Sequence, residues 1–429
     1  MFMVFWRPQE WLVPWMYGMP VLDVVVVIAL LSLLVEFNEG RVKMPWNTPQ
    51  VYLLLGLWFA APMSHVLHTY FAGMVQAMFP IFKICLFSFL LFLVLDRPHR
   101  LRVAAFLFVI MACTMAFHAH LQMDVGFGFA RQPPVWVPPI GEAPGYWRTQ
   151  FFGIFADPND MAQFLITCVP LSFILLPRRS PLSFLIGCGV SYYLITAMMT
   201  TGSRGGKVGL AAVVVSQVLV FLPQKWFPYL LGTGLVVALC LCPFAGFVLD
   251  TSAHDRVVFW GMANEQFKRP INMPFGMGWG MFWSLSIAGR AAHNAFVKCY
   301  TELGVFGYWF WFGLIQLGII GGWRVRMALN KISNPGAKWM FRFTGQTIVA
   351  MMGFCASAYF LSRTFVFPLF FLMAMLGVTP LIARRYLPPS YPPFFNIKRD
   401  VYIMLTVGTI ASITYIYISI ILLNKAFYG

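Results

Sequence analysis

The chain has 429 residues, of which 60% are hydrophobic, 17% aromatic and only 10% charged, against about 25% charged in a soluble domain. One apolar run after another approaches the roughly 20 residues that span a bilayer, so a single soluble core is excluded and a polytopic membrane protein is expected. The formal net charge of +16 would suit nucleic acid in a soluble protein. Here the basic residues sit mostly in short loops, where they set topology and meet anionic headgroups, and some are free to serve an anionic substrate. Membrane lipids are therefore expected partners, and nucleic acid is not.

The first twenty residues carry Trp6, Trp11, Trp15 and Tyr17, suited to the headgroup belt. Arg7, Glu10 and prolines interrupt them, so no cleavable signal is read there. Apolar spans are expected at 21–37, 49–67, 71–95, 101–121, 158–176, 182–200, 206–222, 226–249, 294–321, 341–361, 364–383 and 401–424, about twelve in all. Asp23 and Lys83 fall inside spans and are expected to face protein. The eight cysteines (Cys85, Cys113, Cys168, Cys188, Cys240, Cys242, Cys299 and Cys355) form no CxxC pair and read as small apolar side chains, neither metal ligands nor disulfides.

The loops alternate in charge. Arg41 and Lys43, Arg97 to Arg102, Arg178 and Arg179, Lys225, Arg324 to Arg342, and Arg384 to Arg399 mark one set as cytoplasmic. The other set lies outside: 122–157, the Gly-Ser-Arg turn near 203, 250–293 and the turn at Arg363. This places both termini outside. The outer loops 122–157 and 250–293 are longer than connection requires, which marks them as functional. No internal repeat is evident, which weakens a transporter built on inverted repeats.

Five stretches carry chemistry. At Asp157-Pro158-Asn159-Asp160, an N-cap, a proline at the first position and an acid in the first turn make a good helix start. Alternatively, Asn159 or Asp160 faces a cavity and holds a sugar hydroxyl. Thr200-Thr201-Gly202-Ser203-Arg204-Gly205-Gly206-Lys207 reads as a tight turn between two spans. It is either a solvated hairpin with a headgroup anchor or an anion site, in which glycines let backbone N–H groups converge and arginine adds a two-pronged donor. Arg256 in Asp255-Arg256-Val257-Val258-Phe259-Trp260 is either a solvated loop arginine or a second cation on the same side. Pro274-Phe275-Gly276-Met277-Gly278-Trp279-Gly280 is a flexible loop or a glycine-lined ligand surface.

The fifth stretch is His293-Asn294, which opens a long apolar helix. At about 100° per residue His293, Val297, Tyr300, Gly304 and Gly307 share one face of it. Lys298 and Glu302, at i,i+4 on another face, are spaced to neutralise each other. His293 is an interfacial histidine or a general base, for which an ordinary imidazole pKa of about 6.5 is well placed.

In order, Gly153-Ile154-Phe155-Ala156-Asp157-Pro158-Asn159-Asp160, Thr201-Gly202-Ser203-Arg204-Gly205, Arg256 to Trp260, Pro274 to Gly280, and His293-Asn294 with Glu302-Leu303-Gly304 and Gly307 resemble the O-antigen ligase / O-antigen polymerase family of bacterial membrane proteins. The likeness runs from about residue 150 to 325, with compatible hydropathy on both sides. The resemblance implies an all-α polytopic membrane glycosyltransferase with a GT-C-like architecture in the bacterial inner membrane. Its active site would face the periplasm, and it would need neither cofactor, nucleotide sugar nor metal. It implies Arg204, Arg256 and His293 as the catalytic trio. The donor would be an undecaprenyl-diphosphate-linked glycan, and the acceptor a lipid, a glycan or a protein.

On this reading Arg204 and Arg256, helped by Lys207, stabilise the leaving diphosphate, and His293 takes the proton of an acceptor hydroxyl that attacks with inversion. Ser203, Asn294, Asn159, Asp160, Gly276 and Gly278 line the substrate. Residues 1–383 form the membrane-embedded domain. Residues 384–429 form a cytoplasmic connector and an added last helix. A repeat-unit polymerase of the same family, or a lipid-linked glycan transporter that makes no bond, are the alternatives; Lys83, Lys298 and Glu302 favour the latter.

Overall fold

Helix starts in this chain repeat one device: a small polar cap, often followed by proline. In a computed structural model, the residues described are 2–16, 18–40, 42, 44–139, 144–176, 180–221, 251–285 and 292–428. Asp157 caps a helix by accepting the Asn159 amide at 2.7 Å with Pro158 next, and Ser180 accepts the Ser183 amide at 3.1 Å with Pro181 next. Each cap satisfies an amide that the helix itself leaves without a partner.

The protein is mostly helical, 76% helix and 2% strand. We label the main helices α1 (Val21–Asn38), α2 (Pro49–Val66), α3 (Phe71–Val94), α4 (Pro98–Asp124), α5 (Pro158–Leu171), α6 (Pro181–Thr200) and α7 (Arg204–Phe221). They continue as α8 (Thr251–Phe267), α9 (Ala295–Leu329), α10 (Pro335–Ala358), α11 (Phe367–Gly377) and α12 (Thr406–Tyr428). Among the described residues seven helical stretches are long and apolar enough to cross a membrane: α1, α3, α4, α6, α9, Phe367–Tyr386 and Ile397–Lys425. Helices also stand at the expected spans near 49, 158, 206 and 341; the span at 226–249 lies outside the described residues.

The chain divides into two compact units. The first comprises 1–45, 93–216 and 332–357. Here α5 packs on α4 and α6, and α10 lies close enough to α7 that a Cβ on Gly209 would stand 3.1 Å from the Gly353 carbonyl. The N-terminal segment contributes core: Phe5 is fully buried, edge-on to Phe108 at 5.2 Å and stacked on Phe164 at 5.8 Å. Trp11 stacks on Phe129 at 4.8 Å, so these aromatics pack on protein, while Trp15 stays exposed. The expected loop 122–157 holds an antiparallel hairpin, β1 (Val135–Val137) with β2 (Tyr146–Arg148), pairing Trp136 with Trp147.

The second unit comprises 46–92, 217–331 and 358–429 and is organised around α9, on which α2, α8, α11 and α12 pack. The last helix is joined to it at several heights. Asp400 is fully buried and takes a two-pronged donation from Arg324 at 2.5 and 2.8 Å, and Tyr308 and Ser412 share a hydrogen bond of 2.7 Å. The expected boundary at 383 therefore falls inside this unit, because α12 buries its inner face against α8 and α9.

Three expectations change. The expected outer loop 250–293 is largely helix: α8, a turn at Asn272–Phe275 and a 3-10 turn at Met281–Leu285. The helix expected from 294 starts at Ala295 and is broken at Gly304 (φ 65°, ψ −169°), so His293, Gly304 and Gly307 do not share one continuous helical face. Asp23 and Lys83 have exposed side chains. In the case of Asp23 the reason is that no residue of α1 is fully buried.

Candidate functional site

In the first unit the motifs at 157–160 and 201–207 meet through an arginine that the sequence reading passed over. Arg148, at the end of β2, donates from Nε to the Thr201 carbonyl at 2.7 Å and from Nη2 to Asn159 Oδ1 at 3.0 Å. Asn159 Nδ2 in turn donates to Asp157 at 2.9 Å. Asn159 is thus tied into a protein network, and Asp160 is buried in the first turn of α5. The hint in the sequence was faint: an arginine directly after two aromatics in Tyr146-Trp147-Arg148.

The expected glycine turn is mostly helix. Only Gly202 (φ 62°) takes the left-handed turn; Gly205 and Gly206 lie in the first turn of α7. Gly206 is small for packing, since a Cβ there would stand 2.9 Å from Ala162. Ser203 is the N-cap: its Oγ accepts the Gly206 amide at 3.1 Å, and the residue is buried. Arg204 and Lys207 are exposed on the first turn of α7, which holds no acidic residue.

In the second unit the motifs at 256, 276 and 293 are joined. Trp260, one turn after Arg256 on α8, is buried and donates from Nε1 to the Ala292 carbonyl at 2.6 Å. This fixes the helix of Arg256 to the residue before His293. His293 sits in the left-handed region (φ 48°), uncommon for any residue but glycine, although histidine enters it more often than most. Its amide donates to Ser362 Oγ at 2.6 Å, and Thr364 Oγ1 donates to the Ala295 carbonyl at 2.8 Å. Asn294 is buried and caps α9, accepting the Phe296 and Val297 amides at 3.0 and 3.1 Å. Its Oδ1 is committed to the helix, and among the described residues its Nδ2 meets no hydrogen-bond acceptor.

Gly276 and Gly278 serve packing inside the protein. The loop they belong to docks into the α9 break: the Met277 amide donates to the Thr301 carbonyl at 2.9 Å and the Gly278 amide to the Glu302 carbonyl at 3.1 Å. These bonds satisfy carbonyls that the interrupted helix leaves open. Gly276 (φ 79°) has no room for a Cβ, which would overlap the Glu302 carbonyl. From α2 and the turn after it, His68 Nε2 bonds the Gly276 carbonyl at 2.9 Å, and His65 Nε2 the Trp279 carbonyl at 3.0 Å. Glu302 is fully buried, accepts the Phe282 amide at 3.2 Å and lies 3.6 Å from Lys298 Nζ.

Two charges of the expected outer loop pair with each other: Lys268 bonds Glu265, which raises the lysine pKa above its ordinary value. Among the described residues no three His, Cys, Asp or Glu side chains gather as metal ligands would. An apolar groove within the second unit is lined by Val51, Leu54, Trp58, Phe82, Cys85 and Phe89. Of the expected trio, Arg204 belongs to the first unit, and Arg256 and His293 to the second. Compared with family models and with curated protein sequences, the chain matches none.

Proposed function

We propose that the chain is an inverting membrane glycosyltransferase of the O-antigen ligase / polymerase type, with about twelve spans in a GT-C-like arrangement. It would work in the bacterial inner membrane with its site toward the periplasm. It would take a glycan from an undecaprenyl-diphosphate donor and pass it to an acceptor hydroxyl. The observation that carries this reading is the start of α7. A helix N-terminus is its positive end and favours acidic side chains, yet Arg204 and Lys207 lie exposed there, with no acid in the turn. Such a concentration of positive charge suits an anion with several oxygens, and a lipid diphosphate is one.

On this reading Arg204 and Lys207 bind the diphosphate and, with Arg256, stabilise it as the bond from the anomeric carbon to oxygen breaks. His293 accepts the proton of the attacking hydroxyl. Its left-handed backbone, held by Ser362, supports a positioned role. The apolar groove has the lining to accept a hydrocarbon chain. Ligase and polymerase differ only in the acceptor.

A second reading, a transporter that makes no bond, draws on the broken α9 and on Lys298 beside the buried Glu302, since discontinuous helices mark transporter sites. One experiment separates the two. Purified protein is mixed with lipid-linked glycan and an acceptor, with no membrane gradient. Transfer of glycan and release of lipid diphosphate support the enzyme; intact donor under every acceptor tried refutes it.

A further inference from the structure

The last helix has a polar stripe where it meets α8. Asn424 Nδ2 donates to the Val257 carbonyl at 3.0 Å. About two turns away, Asn264 Nδ2 donates to the Tyr417 carbonyl at 3.1 Å, and Asn264 Oδ1 accepts the Tyr300 hydroxyl at 2.7 Å. Between these two bonds lies Gly261, where a Cβ would stand 3.0 Å from both polar atoms of the Asn424 amide. Val257, Gly261 and Asn264 follow at i, i+4 and i+7, one stripe of α8. Small residues allow close helix approach, and side-chain amides bonded across it hold one rotation and one height. Arg256 is the next residue to Val257. Its helix is thus held along one stripe by α12 and, through Trp260, by the corner before His293.

We infer that α12 is a positioning element for Arg256: the Asn424–Gly261 notch sets the rotation of α8 and so the aim of the guanidinium. The inference rests on the proposed function only in giving Arg256 a leaving diphosphate to meet. Asn424 is a positioning residue and touches no substrate.

The test uses the full-length protein in detergent, with lipid-linked glycan as donor. Gly261→Ala is expected to lower kcat about tenfold with KM within about twofold, since a shifted arginine loses transition-state contact before it loses binding. Pairing it with Asn424→Ser, which makes room for the added methyl, is expected to recover most of the loss. Asn424→Ala alone is expected to cost about threefold, the worth of one hydrogen bond between membrane helices. Wild-type kcat in both single variants beside an inactive Arg256→Ala overturns the inference, as does a double variant no better than Gly261→Ala. If Gly261→Ala does not accumulate, Asn424→Ala takes its place in both readouts.

If Arg256→Ala is fully active, the functional reading fails instead, and the geometry is judged without turnover. Arg256→Cys is labelled with a charged methanethiosulfonate, and modification at that residue is followed by mass spectrometry. A several-fold change in labelling rate on adding Gly261→Ala sustains α12 as the element that orients α8; an unchanged rate overturns it.

Discussion

Two helix starts present the candidate chemistry in opposite ways. At α7 the candidate follows the cap: Ser203 caps, and Arg204 is the first helical residue, exposed, on an ordinary helical backbone. At α9 the candidate precedes the cap: His293 sits before Asn294 with a left-handed backbone, its amide fixed by Ser362. The capping physics is the same. On the proposed function the difference follows from what each side chain would have to do. A long guanidinium reaches an anion from a relaxed position, because its charge acts over several ångströms. An imidazole that accepts a proton works only within hydrogen-bonding reach of it, so its backbone is the one under constraint.

That comparison is broken most directly at His293. His293→Ala is expected to lower turnover about 10²- to 10⁴-fold, the range for loss of a general base. The wild-type rate should fall as pH drops through the imidazole range, because a base works only when neutral, while the residual rate of the variant should not follow that titration. A wild-type rate that falls instead as pH rises through that range would assign the imidazolium to anion binding, and profiles equal to the variant's would remove the imidazole from both roles. Arg204→Ala is expected to cost about 10²- to 10³-fold in kcat, as loss of one charge-stabilising donor does. Arg204→Lys should recover a good part, since the position is exposed and unstrained. Identical losses for the lysine and alanine variants would mean that Arg204 is as tightly placed as His293.

A third change tests the glycine loop as structure. Gly276→Ala is expected to cost about 3 kcal/mol or more, because the residue is left-handed and its Cβ would meet the Glu302 backbone. Thermal unfolding in detergent should show a large loss, whereas a loop that served only ligand contact would lose activity with its melting temperature unchanged. The smallest effects belong to the caps. Ser203→Ala and Asn294→Ala should each cost about 1 kcal/mol. The Asn294 variant should also lower kcat, because its cap adjoins the constrained histidine, and the Ser203 variant much less.

Much of the helical layout was legible because apolar runs and proline-led caps are local signals. Asp157-Pro158 marked the start of α5, and Lys298 and Glu302 at i,i+4 do approach each other. What composition could not convey was long-range hydrogen bonding. Nothing near Gly304 in the sequence says that the Met277 and Gly278 amides will cap a break there, so an interrupted helix read as continuous. Arg148, Ser362 and His68 were missed for the same reason: each meets its partner from a distant part of the chain. The segment 251–267 read as loop because its charged residues dilute the apolar pattern, although helix α8 forms there and is stabilised by packing against α9 and α12.

The proposed transfer requires Arg204 and His293 to meet the same substrate, and this can be measured in the membrane. Arg204→Cys and His293→Cys are combined and treated with a short bifunctional maleimide, and the linked peptides are mapped. A cross-link between positions 204 and 293, blocked by lipid-linked glycan, is the result expected. If neither a short nor a long spacer joins them while each cysteine labels singly, the two side chains do not share a site, and the glycosyl-transfer account is contradicted.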